Sequence, residues 1–282
     1  MDGRILLGVL VITFSCGCLD LPGEDDMSDQ RIGVVVSIPP MAEFVERVGG
    51  DRVRVSVMVP PGATPHTYEP EASQLREVGR AGMYVMVGSG IEFETVWMSR
   101  IVDVNSEMLV VNCSDGIAVV GGDPHVWLSL GNARVMVENI YQGLVQIDPE
   151  SQEYYARNKE EYQEKLEEMD AWIRANLSGA EHKKILVYHP AWAYFARDYG
   201  LEQVAIEEEG KEASPKRVSD LISEVLAWNI TVIFASPHTS TRGAEMVARE
   251  IGGEVVLVDP LAEKYLENMG NVAIAFKRSV GR

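Results

Sequence analysis

The chain has 282 residues, of which 46% are hydrophobic, enough apolar material to bury the core of one large or two medium domains. Acidic residues outnumber basic ones, 43 against 25, and the formal net charge is −18. This balance argues against binding to a nucleic acid, whose phosphate backbone is recognised by clustered lysine and arginine, and slightly favours the attraction of cations. Plain solubility is the simpler explanation of the same charge.

The first predicted element is a secretion signal at residues 1–18. Its apolar stretch, residues 5–15, is too short to cross a membrane as a helix and has the length of a signal-peptide core. Cys16 and Cys18 close the stretch, and a polar, acidic tether follows at residues 19–30. The sequence around these cysteines resembles a lipoprotein processing site, which implies a lipid anchor at Cys18 on the extracytoplasmic face of a membrane. Lipidation at Cys16 and plain secretion stay open.

Residues 31–147 are predicted to form an N-terminal α/β domain. Short β-branched runs alternate there with amphipathic segments, and this alternation indicates a parallel sheet covered by helices. The predicted strands are 33–37, 53–59 and 83–87, and the predicted helices are 40–48 and 71–78.

Residues 148–178 are predicted to link this domain to a second one, mainly through a helix from residue 148 to residue 176. The helix contains no glycine, and its only proline is Pro149 at the start. One stripe of apolar residues at helical spacing predicts packing against a core. These residues are Tyr155, Tyr162, Leu166, Met169 and Ile173. Without an internal hinge the helix should hold the domains nearly fixed, so conformational change would be local, above all in residues 207–214.

Residues 179–282 repeat the β-α rhythm and are predicted to form the C-terminal domain. The predicted strands are 185–188, 203–206, 232–235 and 254–258, and the predicted helices are 191–199, 215–228 and 244–251. The fold class is therefore α/β, with two domains of parallel sheet and helices, one rigid helix between them and a cleft where they face each other.

Four side chains that can bind metals follow predicted strands: His66, His125, His189 and Asp259. A lone histidine at such a place is usually structural, but here three histidines each stand next to a proline that stiffens the loop. Ligands of open α/β sheets bind beyond the carboxyl ends of the strands, so these side chains should meet in the cleft, two from each domain. Three neutral imidazoles and one carboxylate complete a tetrahedral shell for a divalent ion such as Zn²⁺.

Four segments around these residues resemble the metal-binding receptors of ABC importers, lipoproteins that capture zinc or manganese outside the membrane and deliver it to a permease. The segments are PPGATPHTYEP, DPHVWLS, YHPAWAYFARDYGLEQVAIEEEGKEASP and VDPLAEKYLENM. The resemblance implies that the same four residues are the metal ligands. It also implies a monomeric receptor whose partners are a divalent metal ion and a permease.

Zinc is the metal favoured by the third ligand position. Manganese and iron receptors of the family often have Glu where this chain has His189, and zinc receptors tend to have His; imidazole suits zinc. Manganese stays open as the alternative, because some manganese-linked relatives also use three His and one Asp. This chain also lacks the long His-rich and acidic loop that many zinc receptors carry before the second ligand, here His125.

Two further residues are expected near the ion. His238 also follows a predicted strand, where the family commonly has Gln. It either touches the ion, directly or through water, or lines the cleft beside the ligands. Glu207 begins an acidic run, residues 207–209, that assists metal capture or is simply a solvated face.

A secreted zinc hydrolase and a metal-binding adhesin are the alternatives from other classes. A hydrolase leaves one coordination position open for water, which Asp259 would fill here, and the chain has neither an H-E-x-x-H nor a G-x-S-x-G motif. The sequence therefore predicts a carrier and not an enzyme. An adhesin that keeps the metal for stability stays open.

Overall fold

The computed structural model describes residues 31–207 and 214–280. The predicted signal, with Cys16 and Cys18, and the predicted tether lie outside the described residues. Most of the segment predicted to move, residues 208–213, also lies outside them. Within the described ranges, no helix combines the length and the apolar character needed to cross a membrane.

The N-terminal half contains a parallel sheet of four strands in the order β2-β1-β3-β4. The strands are β1 (Ile32–Val36), β2 (Val53–Val57), β3 (Met83–Met86) and β4 (Leu109–Asn112). The helices are α1 (Pro39–Gly49), α2 (Ala72–Val78), α3 (Glu92–Val104) and α4 (Leu130–Ile147). Val34, Val35 and Val36 of the inner strand β1 are fully buried, as expected when helices cover a parallel sheet. The predicted strands and helices of this half are confirmed, and α3, β4 and α4 are additional.

The C-terminal half has the same topology, with the strand order β6-β5-β7-β8. Its strands are β5 (Lys184–Val187), β6 (Glu202–Ala205), β7 (Val232–Ala235) and β8 (Glu254–Leu257). Its helices are α6 (Ala193–Asp198), α7 (Pro215–Ala227), α8 (Arg242–Glu250) and α9 (Tyr265–Val280). Helix α6 begins later than predicted, because a turn in which Ala191 N–H donates to the His189 carbonyl precedes it. That turn presents His189 at the end of β5.

Helix α5 (Gln152–Leu177) runs between the halves and contacts α1, α4 and α9. The predicted stripe is confirmed: Tyr155, Tyr162, Leu166 and Ile173 are buried, and Met169 is partly buried. The helical segment begins at Pro149, one residue after the predicted start, with a 3-10 turn, and continues as the α-helix from Gln152. The N–H of Asp148 still donates to Leu144 at the end of α4, and a short 3-10 turn, Pro149–Ser151, separates the two helices.

Candidate metal centre

Three of the four predicted ligands meet where the carboxyl ends of the two sheets face each other. His66 follows β2, His125 follows β4 and His189 follows β5. The centroid of the His189 ring lies 5.1 Å from that of His66 and 5.2 Å from that of His125. With His238, the three rings line one small cavity of about 40 Å³. The position at the strand ends is the one expected for a ligand of an open α/β sheet.

The tautomers of His125 and His189 follow from their hydrogen bonds. Nδ1 of His125 lies 2.7 Å from Oδ1 of Asp123, and Nδ1 of His189 lies 2.8 Å from Oε2 of Glu207. An ionised carboxylate only accepts hydrogen bonds, so each Nδ1 carries the hydrogen. When a ring is neutral, its Nε2 then carries no hydrogen, and the lone pair of that atom is free to bind a cation.

These two Nε2 atoms are 3.3 Å apart. Neither can donate a hydrogen bond to the other while both rings are neutral, so two lone pairs face each other and a cation between them is favourable. Two nitrogens bound to zinc at 2.0–2.1 Å in tetrahedral geometry are about 3.3 Å apart. The pair therefore has the spacing of two corners of a zinc tetrahedron. A carboxylate on the far nitrogen of each ring is the usual support of a metal-binding histidine.

His66 is held in the same way but less tightly. Its Nδ1 lies 3.0 Å from Oε1 of Glu92, the first residue of α3. The side chains of this pair are 34% and 53% exposed, whereas those of His125 and Asp123 are 11% and 19% exposed. His66 is therefore more exposed to solvent than the two inner histidines. Neither Glu92 nor Asp123 was predicted from the sequence.

Asp259, the fourth predicted ligand, follows β8 and is paired with His238. Its Oδ1 accepts hydrogen bonds from Nε2 of His238 at 2.6 Å and from the N–H of Leu261 at 2.7 Å. Asp259 is not among the described residues that line the cavity of the histidines. In this arrangement no group of three or more His, Cys, Asp or Glu side chains from residues 31–207 and 214–280 could hold a metal ion. Metal binding therefore requires side-chain movement.

Hydrogen bonds tie the two halves together around this site. The indole Nε1 of Trp127 donates to the carbonyl of Pro260 at 2.7 Å, and the hydroxyl of Tyr265 donates to the carbonyl of Trp127, also at 2.7 Å. On the other side of the site, the hydroxyl of Tyr194 donates to the carbonyl of Asp123 at 2.9 Å. The backbone on both sides of His125 is therefore held by the opposite half.

Burial lowers the pKa of His125, and this effect outweighs the hydrogen bond to Asp123, which acts in the opposite direction. A lowered pKa keeps the ring neutral at neutral pH. The neutral ring is the form that binds metals.

The carboxylates of Asp123 and Glu92 are expected to contribute unequally to the affinity for zinc. Asp123→Asn should weaken zinc binding about 10–100-fold, because a neutral amide supports His125 less well than a partly buried carboxylate. Glu92→Gln removes the same charge from an exposed partner and should weaken binding less. Competition titration against a zinc-binding dye measures both variants. A larger loss in Glu92→Gln than in Asp123→Asn would contradict this ranking.

Comparison with known proteins places the chain in a metal-uptake family. Residues 34–279 match the family described as "Zinc-uptake complex component A periplasmic". The high-affinity zinc uptake system protein ZnuA of Bacillus subtilis is 28% identical over 91% of this chain and 87% of its own length. The manganese-binding lipoprotein MntA of Halalkalibacterium halodurans is 29% identical over 94% of this chain and 89% of its own.

The fold is similar to that of solved members. A crystal structure of ZnuA has a TM-score of 0.84 and 36% identity, and the match covers 88% of this chain and 99% of that one. The predicted resemblance and the predicted α/β fold are both confirmed.

Proposed function

The chain belongs to the family of the periplasmic zinc-uptake component A, and on that premise we propose that it captures zinc outside the cytoplasm and delivers it to the permease of an ABC importer. The observation that carries the proposal is the pair of imidazoles, His125 and His189, whose Nε2 atoms lie 3.3 Å apart while each Nδ1 contacts a carboxylate. Each of these two rings is already oriented by a carboxylate, so little further ordering of the two imidazoles is needed when the ion binds.

The proposed ligands are Nε2 of His66, His125 and His189 and one carboxylate oxygen of Asp259. Within the described residues, the carboxylate of Asp259 accepts its hydrogen bonds through Oδ1, which leaves Oδ2 for the ion. Two ligands come from each half of the molecule, so an ion held by all four would join the halves. The ion is the cargo of the protein, and Asp259 has to approach the histidines for the shell to close.

This set of ligands supports zinc. Three imidazole nitrogens and one oxygen form a tetrahedral shell of the kind that zinc accepts, whereas manganese prefers more oxygen ligands. The relatives named above include both a zinc protein and a manganese protein, which supports a divalent metal in either case. Manganese is the alternative cargo.

A closed shell of four protein atoms favours carriage over catalysis. A hydrolytic zinc site keeps a position for the attacking water, and here the fourth position is assigned to Asp259. We propose a receptor that performs no reaction and is anchored through a lipid at Cys18, a residue outside the described ranges. A monomer is sufficient for this function, since one chain supplies all four ligands.

Metal analysis and titration calorimetry of the purified domain, residues 31–282, test the proposal. We expect one zinc ion per chain and a lower Kd for zinc than for manganese in a direct competition. Failure to bind either ion would overturn the proposed function. Tighter binding of manganese would overturn only the choice of metal.

A further inference from the structure

His238 forms a short hydrogen bond with one oxygen of the Asp259 carboxylate. The residue follows β7, its side chain is 9% exposed, and it lines the same cavity as the three other histidines. Its Nε2 lies 2.6 Å from Oδ1 of Asp259. Because the ionised carboxylate can only accept, the hydrogen of this short contact belongs to His238.

Oδ1 of Asp259 has no capacity left for a metal ion. It accepts from His238 and from the backbone N–H of Leu261, at 2.7 Å, and a carboxylate oxygen has two lone pairs in its plane. The carbonyl of Asp259 also accepts a hydrogen bond, from Nδ2 of Asn268 at 2.6 Å, which fixes the backbone. While His238 donates, the carboxylate can give an ion only Oδ2.

The number of oxygens that Asp259 offers bears directly on the choice of metal. One oxygen with three imidazoles gives four ligand atoms, the number preferred by zinc in closed protein sites. Two oxygens would give five ligand atoms and a greater share of oxygen, a change toward the shells that manganese prefers. We propose that His238 determines metal specificity: it occupies Oδ1 of Asp259, limits this ligand to a single metal bond and thereby favours zinc over manganese. This inference rests on the proposed function, because it concerns the same site.

The second ring nitrogen of His238 argues against a purely structural role. Nδ1 is buried and has no hydrogen-bond partner among the described residues. An unpartnered buried nitrogen opposes folding, and an apolar side chain of similar size would fill the space without that cost. The polar contact that the imidazole does make is the one to Asp259.

Two substitutions of His238 distinguish the effect of its hydrogen bond on metal preference from the effect of its side-chain volume. His238→Leu keeps the bulk and removes the donor, so the ratio of zinc affinity to manganese affinity should fall about tenfold or more. His238→Gln keeps an N–H donor and should largely restore the ratio. His182→Asn is the matched control. It removes a histidine outside the site, and asparagine tolerates the positive φ of 63° found there.

Substitution with cobalt provides a second readout, because four-coordinate cobalt absorbs visible light much more strongly than five- or six-coordinate cobalt. The wild type and His238→Gln should give the intense spectrum, and His238→Leu a weaker one. If His238→Leu does not fold, as judged by circular dichroism, His238→Met serves as the variant without a donor.

An unchanged zinc-to-manganese ratio in the folded variant without a donor would overturn the inference while leaving metal capture intact. A weak cobalt spectrum of the wild-type protein would also overturn it. Absence of binding of any of the three metals to the wild type would instead refute the proposed function.

Discussion

Alanine at position 125 or 189 is expected to abolish high-affinity zinc binding. Each substitution removes one of the two nitrogens that already stand 3.3 Å apart and leaves a carboxylate, Asp123 or Glu207, without its imidazole partner. The loss should exceed the factor of about 100 that bounds the removal of a supporting residue, because a metal bond itself is lost. Titration calorimetry, with chelator competition for the tightest complexes, measures the change.

The same experiment distinguishes ligands from other histidines. His66→Ala should also weaken binding strongly, since three imidazoles are assigned to the shell. His182→Asn, outside the site, should bind zinc like the wild type. Wild-type affinity in any of the three alanine variants would remove that residue from the proposed shell. The circular dichroism spectrum of each variant shows whether the fold is retained.

The position of the site could be predicted because it depends on the topology of the sheets more than on the packing of individual side chains. In a parallel sheet all strands end at the same edge, so residues that directly follow strands are brought together without knowledge of the packing. His66, His125 and His189 follow β2, β4 and β5 and share one cavity. Asp259 also follows a strand, but its partner in the structure is His238.

The carboxylates that support the histidines were harder to find. Glu92 begins helix α3, far along the chain from His66, and nothing in the local sequence joins the two residues. Asp123 is different, since its Oδ1 accepts from both the N–H and Nδ1 of His125. An aspartate two residues before a predicted ligand is a local turn signal, and it could have been recognised.

Helix α9 is the clearest element that the sequence analysis missed although its signal is present. Tyr265, Met269, Val272 and Phe276 recur at helical spacing and are all buried. Strand β4 is a different case, because only Val111 of its four residues is buried and the apolar run is short. The domain boundaries and the rigidity of α5 stay predictions.

Acidification is expected to release the metal. Binding requires neutral imidazoles, whose ordinary pKa is about 6.5, so each histidine of the shell can weaken zinc binding by up to about tenfold per pH unit once it becomes protonated. Burial lowers the pKa of His125 and so keeps its ring neutral to a lower pH than an ordinary histidine.

The lowered pKa of His125 also makes the stability of the metal-free protein depend on pH. Between the lowered pKa and about 6.5 the unfolded chain binds more protons than the folded one, so the free energy of unfolding falls as the pH drops through this window. Bound zinc adds to the free energy of unfolding by an amount that grows with the logarithm of its affinity, and this addition should shrink over the same range. Melting curves with and without zinc, from about pH 7.5 to about pH 5.5, measure both effects. A zinc-induced shift in Tm that stays constant over this range would contradict a site made of three histidines, and His125→Ala, measured in parallel, should show little shift at any pH.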